Sequence, residues 1–90
     1  MSIAVHFVAS LQGYVSDREI VDTNGRTIGE CLGQVIHQFP GIKPKLLSRS
    51  GKLRQQIGIY INGKNAAPNE LTQSTRDGDE VYIIEIFTGG

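Results

Sequence analysis

The stretch TIGECLGQVIHQFPG, residues 27–41, decides the fold. Thr27 is placed to cap a helix, and Glu30 three residues later gives the spacing of a capping box. Apolar residues then recur at steps of three and four, at Ile28, Cys31, Leu32, Val35, Ile36 and Phe39. This period places them on one stripe, and Pro40-Gly41 ends the helix. The sequence therefore predicts one amphipathic helix whose stripe must be covered by another layer.

Short apolar runs on both sides of this helix supply that layer. Residues 3–8 and 19–22 are rich in β-branched side chains, which predicts two strands joined as an antiparallel hairpin. Residues 57–62 alternate isoleucine with smaller or polar residues, and the turn Asn62-Gly63 leads to a brief strand near Asn65-Ala66. The last strand is predicted over residues 81–87.

The remaining segments read as connections. Residues 42–54 are predicted as a loop with at most one helical turn, with a chain reversal at Ser50-Gly51. Residues 68–71 are compatible with a further short turn of helix. The element order describes an α+β fold with a mixed sheet of four to five strands and one main helix packed across one face. We expect one domain, residues 1–87, followed by a flexible tail, residues 88–90.

Composition limits the class of function. The chain has 90 residues, and its nine Lys and Arg balance nine Asp and Glu, so bulk charge does not draw it to nucleic acid or an anionic membrane. Its start does not resemble a secretory signal, and no apolar run approaches the ~20 residues of a membrane span. One cysteine and two histidines fall short of a zinc ligand set. We expect a cytoplasmic protein with no metal site and with neither nucleic acid nor membrane as a partner.

Catalytic motifs are absent from the sequence. It has no Gly-rich phosphate loop, no nucleophile elbow, no HExxH and no paired cysteines. Cys31 lies on the apolar stripe of the helix, so we expect a buried structural thiol rather than a nucleophile. His6 and His37 have no acid or nucleophile beside them in sequence, and we expect structural or solvated roles for both. The prediction is a carrier protein and not an enzyme.

Charge is unevenly distributed along the chain. No acid occurs between Cys31 and Asn69, an interval that contains Lys43, Lys45, Arg49, Lys52, Arg54 and Lys64. Acids instead crowd the C-terminal segment, at Asp77, Asp79, Glu80 and Glu85. We favour an ordinary solvated surface for the basic segment, and docking to a basic partner for the acidic segment near the tail. The Asp77-Gly78-Asp79 stretch lacks calcium-loop spacing, so turn formation explains its acids.

The sequence finishes on Thr88-Gly89-Gly90, directly after the apolar last strand. Glycines have no Cβ, so the pair can thread a narrow channel and leave the terminal carbonyl carbon unhindered, which suits a carboxylate used as a reactant. Four residues from Phe87 reach at most ~13 Å beyond the sheet, far enough to enter another protein's active site. The alternative is a frayed terminus that happens to be Gly-Gly.

Motifs along almost the whole chain carry a resemblance to one family. They are the helix 27–39 with Pro40-Gly41, Leu53-Arg54, Ile59-Tyr60-Ile61-Asn62-Gly63, and Asp77-Gly78-Asp79-Glu80-Val81 at its spacing from Gly89-Gly90. The chain resembles the ubiquitin-like sulfur carrier proteins of the MoaD/ThiS family. This resemblance implies a ubiquitin-like β-grasp fold. Many family members carry a proline just before the tail, whereas this chain has Glu85-Ile86-Phe87-Thr88.

The resemblance also implies a carrier cycle centred on Gly90, with Gly89 beside it. An adenylating enzyme of the ubiquitin-activating type uses MgATP to form an acyl-adenylate on the Gly90 carboxylate, and a sulfur donor converts it to a thiocarboxylate. A sulfur-acceptor enzyme then uses the sulfur in cofactor, cysteine or related biosynthesis. MgATP and the sulfur donor come through the partner enzymes, so this chain binds no cofactor.

Two alternative roles use the same tail. In one, the chain is a ubiquitin-like modifier conjugated to proteins through Gly90, and a metalloprotease is a further partner if a conjugate or precursor is cleaved. In the other, the chain is the small subunit of a complex like molybdopterin synthase, with its tail inserted into a catalytic partner.

Alternation in the last strand predicts a surface for the partner. Val81 and Ile83 share one face, and Tyr82, Ile84 and Ile86 share the other. If the helix covers the first face, the second is free, and exposed apolar area of that kind usually marks a binding site. A partly solvated sheet face is the alternative. With Phe87 at the mouth of the partner's channel and Thr88 inside it, these five residues are the predicted partner-binding set.

Overall fold

The computed structural model describes residues 1–86, so Phe87, Thr88, Gly89 and Gly90 lie outside the described residues. The strands are β1 (Ile3–Phe7), β2 (Ile20–Thr23), β3 (Ile57–Ile61), β4 (Lys64–Asn65) and β5 (Glu80–Glu85). The α-helices are α1 (Ala9–Gln12), α2 (Ile28–Gln38) and α3 (Lys43–Leu46). Short 3-10 turns occupy Gly13–Val15, Pro40–Ile42 and Glu70–Thr72. Within residues 1–86, none of the helices combines the length and apolar character that crossing a bilayer requires.

All five strands join one mixed sheet in the order β2-β1-β5-β3-β4. The β1–β5 pair is parallel, and the other pairs are antiparallel, including the predicted β1–β2 pair. The long helix α2 contributes its apolar stripe to the same core as the inward side chains of β1, β3 and β5. The predicted α+β fold, with one main helix across one face of the sheet, is confirmed. The strand that precedes the tail, β5, is the central strand of the sheet.

Local signals set the bounds of α2. The Thr27 hydroxyl accepts a hydrogen bond from the Glu30 backbone N–H at 3.1 Å, and the Glu30 carboxylate accepts one from the Arg26 backbone N–H at 3.2 Å. In a standard capping box the Glu30 carboxylate would bind the N–H of the N-cap residue, Thr27; here it binds the N–H of the preceding residue, Arg26. At the other end, Phe39 leaves helical geometry and Pro40 begins the 3-10 turn that follows. The predicted start and stop are both confirmed.

The core lies between α2 and the sheet. On α2, Ile28, Cys31, Leu32 and Val35 are buried, while Ile36 and Phe39 are partly buried against the same cluster. From the sheet, the fully buried side chains include those of Ile3, Val5, Ile59, Val81 and Ile83. Cys31 is fully buried, and its Sγ lies 3.7 Å from the Gly25 carbonyl oxygen. The prediction of a structural thiol at this position is confirmed.

One connection differs from the sequence prediction, and a second agrees with it. The link between β1 and β2 contains α1 and a 3-10 turn, because Leu11 and Val15 are drawn into the core. Residues 42–54 hold the single helical turn α3 and then a small loop closed by a bridge between Leu47 and Leu53. Gly51 reverses this loop with a φ of 81°, a conformation that glycine adopts without strain.

Candidate functional site

The outward side of β5 is the first component of the site. Val81 and Ile83 are fully buried, whereas Tyr82 is 40% exposed and Ile86 is 45% exposed, with Ile84 between these extremes. The two faces predicted from alternation are therefore confirmed. We call the sheet face opposite α2 the open face; its principal residues are His6, Tyr60, Tyr82, Ile84 and Ile86.

A row of side chains crosses the open face at right angles to the strands. Backbone pairing places Ile20 beside His6, His6 beside Tyr82, and Tyr82 beside Tyr60. Paired residues in neighbouring strands direct their side chains to the same face. The row therefore spans β2, β1, β5 and β3, and it ends in the exposed side chain of Ile20. The sequence predicted an exposed face on β5 alone, whereas the open face also includes side chains of β1, β2 and β3.

His6 is fixed within this row by two contacts. Its ring stacks on Tyr82, with the centroids 4.1 Å apart and the planes 13° from parallel. Its Nε2 lies 3.1 Å from a Glu80 carboxylate oxygen. Ring stacking of this kind contributes free energy in addition to that gained from burying the apolar surface of the two rings. The sequence predicted a structural or solvated His6, and the structure adds that the ring braces Tyr82 on the open face.

Gly58 shapes the open face next to the root of the tail. A Cβ at this position would lie only 3.0–3.2 Å from side-chain atoms of Ile84 and Ile86. Its absence lets both isoleucines lean across β3. The Ile86 backbone N–H also donates to the Gln56 carbonyl at 2.6 Å, which extends the β5–β3 pairing past the end of the strand. Ile84 and Ile86 therefore form an apolar surface over Gly58, at the point where the described chain ends.

The acidic residues do not gather beside the tail. Asp77, Asp79 and Glu80 lie at the start of β5, about 17 Å along the strand from Glu85 at the usual rise per residue. Asp77 accepts from the Ser2 backbone N–H at 2.7 Å, and Asp79 accepts from the Arg76 N–H at 2.7 Å. The Asp79 bond lies within the predicted turn, and the Asp77 bond ties the turn to the N-terminal segment. The prediction that this segment docks a partner near the tail loses its geometric basis.

Two further bonds hold the one acid that does lie near the tail. Glu85 accepts from the Ser10 hydroxyl at 2.5 Å and pairs with Lys45 at 3.7 Å. These contacts tie the end of β5 to α1 and α3. The Glu85 carboxylate is therefore engaged within the fold.

Asp79 makes the free energy of unfolding depend on pH in the acidic range. Hydrogen bonds from the Asn62 side chain and the Arg76 backbone N–H hold the pKa of Asp79 below its ordinary value of 3.8. A lowered folded-state pKa adds stability that is complete above the unfolded pKa and is lost as the pH falls through the folded pKa. We expect Asp79→Asn to lower the free energy of unfolding by about 1 kcal/mol at pH 7, and by less below pH 3.8.

Urea unfolding from pH 2 to pH 7 measures this effect, with Asp22→Asn on the exposed side of β2 as the matched control. An Asp79→Asn deficit that is constant across this range would contradict the prediction.

The remaining titratable candidates do not come together. His37 is exposed on α2, on the far side of the core from the open face. Among residues 1–86, no three His, Cys, Asp or Glu side chains are grouped closely enough to hold a metal ion. The predicted reactive residues Gly89 and Gly90, and the predicted contacts Phe87 and Thr88, lie outside the described residues. What the structure contributes is the root of the tail and the surface around it.

Known structures share this architecture along nearly the whole chain. A chain of the Amycolatopsis orientalis BexX/CysO complex superimposes with a TM-score of 0.87 at 26% identity, covering 98% of this chain and 99% of that one. The small archaeal modifier SAMP1 of Haloferax volcanii gives a TM-score of 0.86 at 24% identity, with full coverage of both chains. The second likeness concerns the fold alone. The fold and the open face define a ubiquitin-like β-grasp protein.

Relatives of similar sequence are sulfur carrier proteins. The sulfur carrier protein CysO of Mycobacterium tuberculosis is 27% identical over 93 aligned positions, and a candidate sulfur carrier of Archaeoglobus fulgidus is 37% identical over the same length. Both alignments cover all of this chain and all of the relative. The model of the ThiS family matches residues 5–90, which include the final Gly-Gly. This chain belongs to the ThiS family.

Proposed function

We propose that this chain carries sulfur as a thiocarboxylate on Gly90 and is a substrate of its partner enzymes rather than a catalyst. The observation that carries the proposal is the family match, which runs through the β-grasp domain and includes Gly89-Gly90. The described surface agrees with such a role. Its exposed apolar face leads along β5 to Ile86, four residues from Gly90.

The chemistry requires activation before sulfur can be attached. A terminal carboxylate has a pKa near ~3.5, so it is an anion at neutral pH and a poor electrophile. Attack of this carboxylate on the α-phosphorus of ATP releases pyrophosphate and gives an acyl-adenylate. A hydrosulfide nucleophile then forms the C–S bond as the acyl C–O bond breaks and AMP leaves with the electron pair. The adenylating enzyme supplies MgATP, and a sulfur-acceptor enzyme consumes the product.

The open face is the proposed contact with the adenylating enzyme. Tyr82 and Ile86 are exposed, and Ile84 is partly exposed between them, so an apolar partner surface can bury all three. The stack with His6 holds the Tyr82 ring in place before binding. A preorganised side chain loses little conformational freedom on binding. Phe87 and Thr88 would continue this contact into the partner's channel.

Mass spectrometry of the intact protein tests the proposal. With the cognate adenylating enzyme, MgATP and a sulfide donor, we expect a gain of about 16 Da, the replacement of one oxygen by sulfur. Fragmentation should place this gain on Gly90. Omission of ATP is the control and should leave the mass unchanged. A complete reaction mixture that yields no thiocarboxylate would refute sulfur carriage.

The modifier role is an alternative because the fold is shared with a protein named as a modifier, and the synthase-subunit role is an alternative because it would use the same tail. A modifier would form isopeptide bonds between Gly90 and lysines, detectable as covalent ladders after denaturing purification of tagged protein, and a metalloprotease would then be a partner. A synthase subunit would instead co-purify as a stable heteromer. A free carrier forms neither. Because ATP-dependent activation is a cytoplasmic process, we propose cytoplasmic residence for the carrier.

A further inference from the structure

The basic loop, defined as Lys43, Lys45, Arg49, Lys52 and Arg54, lies beside the root of the tail. The Arg54 backbone N–H donates to the Leu46 carbonyl at 2.9 Å, and its Nε donates to the Pro44 carbonyl at 2.6 Å. These bonds fasten Arg54 to α3, the helix that carries Lys43 and Lys45. Arg54 lines one depression with Gly58, Tyr60 and Ile86, and a second with Lys45 and Glu85. The loop therefore meets the open face where the chain leaves the sheet.

Most of this positive charge is not neutralised by the described fold. Among residues 1–86, carboxylates pair with cations at two places, His6 with Glu80 and Lys45 with Glu85. Lys43, Arg49, Lys52 and Arg54 are exposed, and the sequence from residue 32 to residue 69 contains no acid. The acids at the start of β5 are about 17 Å farther along the strand. Glu70 lines the depression that Arg54 shares with Ile86, whereas Lys43, Arg49 and Arg54 line a further depression without an acidic residue. The basic loop is therefore a cationic surface that borders the tail root, although the chain as a whole has no net charge.

The short tail forces this surface against the partner. Four residues span at most ~13 Å, so Gly90 can reach a reactive centre only if Ile86 lies close to the mouth of the channel. The basic loop would then face the rim of that channel. Uncompensated like charges across an interface cost affinity, whereas opposite charges favour it and accelerate association.

We propose that the basic loop is a second contact for the enzyme that receives the tail, and that it binds an acidic rim around that enzyme's channel. The inference rests on the proposed carrier function. The open face supplies apolar contact, and the basic loop orients the carrier so that the tail approaches the channel end-on. RNA is the competing polyanion. A protein rim is favoured because Lys45 and Arg54 lie beside the root of a tail whose proposed chemistry takes place inside a protein.

The test uses Arg49→Glu/Lys52→Glu, because neither side chain donates a hydrogen bond or forms an ion pair with the described fold. The matched control is Lys64→Glu in β4, whose register position lies at the Val81 end of β5. Carrier-dependent ATP–pyrophosphate exchange by the cognate adenylating enzyme gives kcat and KM. Thermal melting confirms that each variant is folded.

We expect the double variant to raise KM for the carrier roughly 10-fold at low salt, with kcat unchanged and with the difference shrinking at about 0.5 M NaCl. Lys64→Glu should change KM less than about 2-fold. Replacing acidic residues of the enzyme's rim with lysine should return the KM of the double variant towards the wild-type value.

A double variant with the KM of the control, or a KM defect that salt does not reduce, would overturn the inference while leaving sulfur carriage intact. Loss of binding to total RNA with KM unchanged would also overturn it. If the wild-type chain supports no exchange at all, the carrier function and this inference fall together.

Discussion

Deleting Gly90 should abolish thiocarboxylate formation while leaving the fold intact. The deletion withdraws the carboxylate by about 3.4 Å from the point where the adenylating enzyme would bind it. Misplacing a reacting group by ~1 Å already costs on the order of 100-fold in rate, so we expect no product above background. The sequence predicts a tail outside the packed domain, and such a terminus contributes little to folding, so the melting temperature should change by less than about 1 °C.

Substitution Gly90→Ala is the matched control for this deletion. It keeps the reach of the tail and adds one methyl group, so it should retain measurable activity if distance is the limiting factor. Intact-protein mass spectrometry and calorimetry provide the two readouts. Full thiocarboxylate formation by the deletion variant would show that the tail length does not matter. A large drop in melting temperature would show that the terminus is structural.

Truncating Tyr82 should weaken docking more than any other single change on the open face. Tyr82 is 40% exposed and lies on the central strand, and its ring is held by the stack with His6. Central aromatic residues of an interface commonly cost 2 kcal/mol or more on truncation. We therefore expect Tyr82→Ala to raise KM for the carrier about 30-fold in ATP–pyrophosphate exchange.

The conservative variant Tyr82→Phe separates the ring from its hydroxyl and should stay within about 3-fold of wild type, since the ring supplies most of the buried area. Ile86→Ala should act in the same direction as Tyr82→Ala, because Ile86 is also exposed and lies closer to the tail. Wild-type KM in the folded Tyr82→Ala variant would refute a docking role for the open face.

Features of the fold with local causes were predictable from the sequence. The helix α2 has its cap, its period and its stop within one short stretch, so its bounds required no tertiary information. The two faces of β5 were predictable from the alternation of its side chains. The burial of Cys31 was predictable from its place on the apolar stripe of α2. The helical turn α1 was not predictable, because four residues carry too little local preference and it forms as Leu11 is buried.

Features of the site with distant causes were not predictable. His6 and Tyr82 are neighbours because the first and last strands pair in parallel, and nothing local to either strand specifies that pairing. Arg54 reaches the tail root through hydrogen bonds to the α3 segment. For this reason the sequence suggested docking by the acids, whereas the structure places Lys45 and Arg54 beside the last described residues of the chain. The roles of Phe87, Thr88, Gly89 and Gly90 stay predictions.

The central position of β5 has a mechanical consequence. A partner that pulls on the tail loads β5 along its own axis, while the hydrogen bonds to β1 and β3 lie across that axis. Force in this direction shears both ladders at once and cannot open them one bond at a time. The carrier should therefore withstand traction on its tail far better than traction applied at the edge strand β2, and single-molecule pulling from these two points would measure the difference in rupture force.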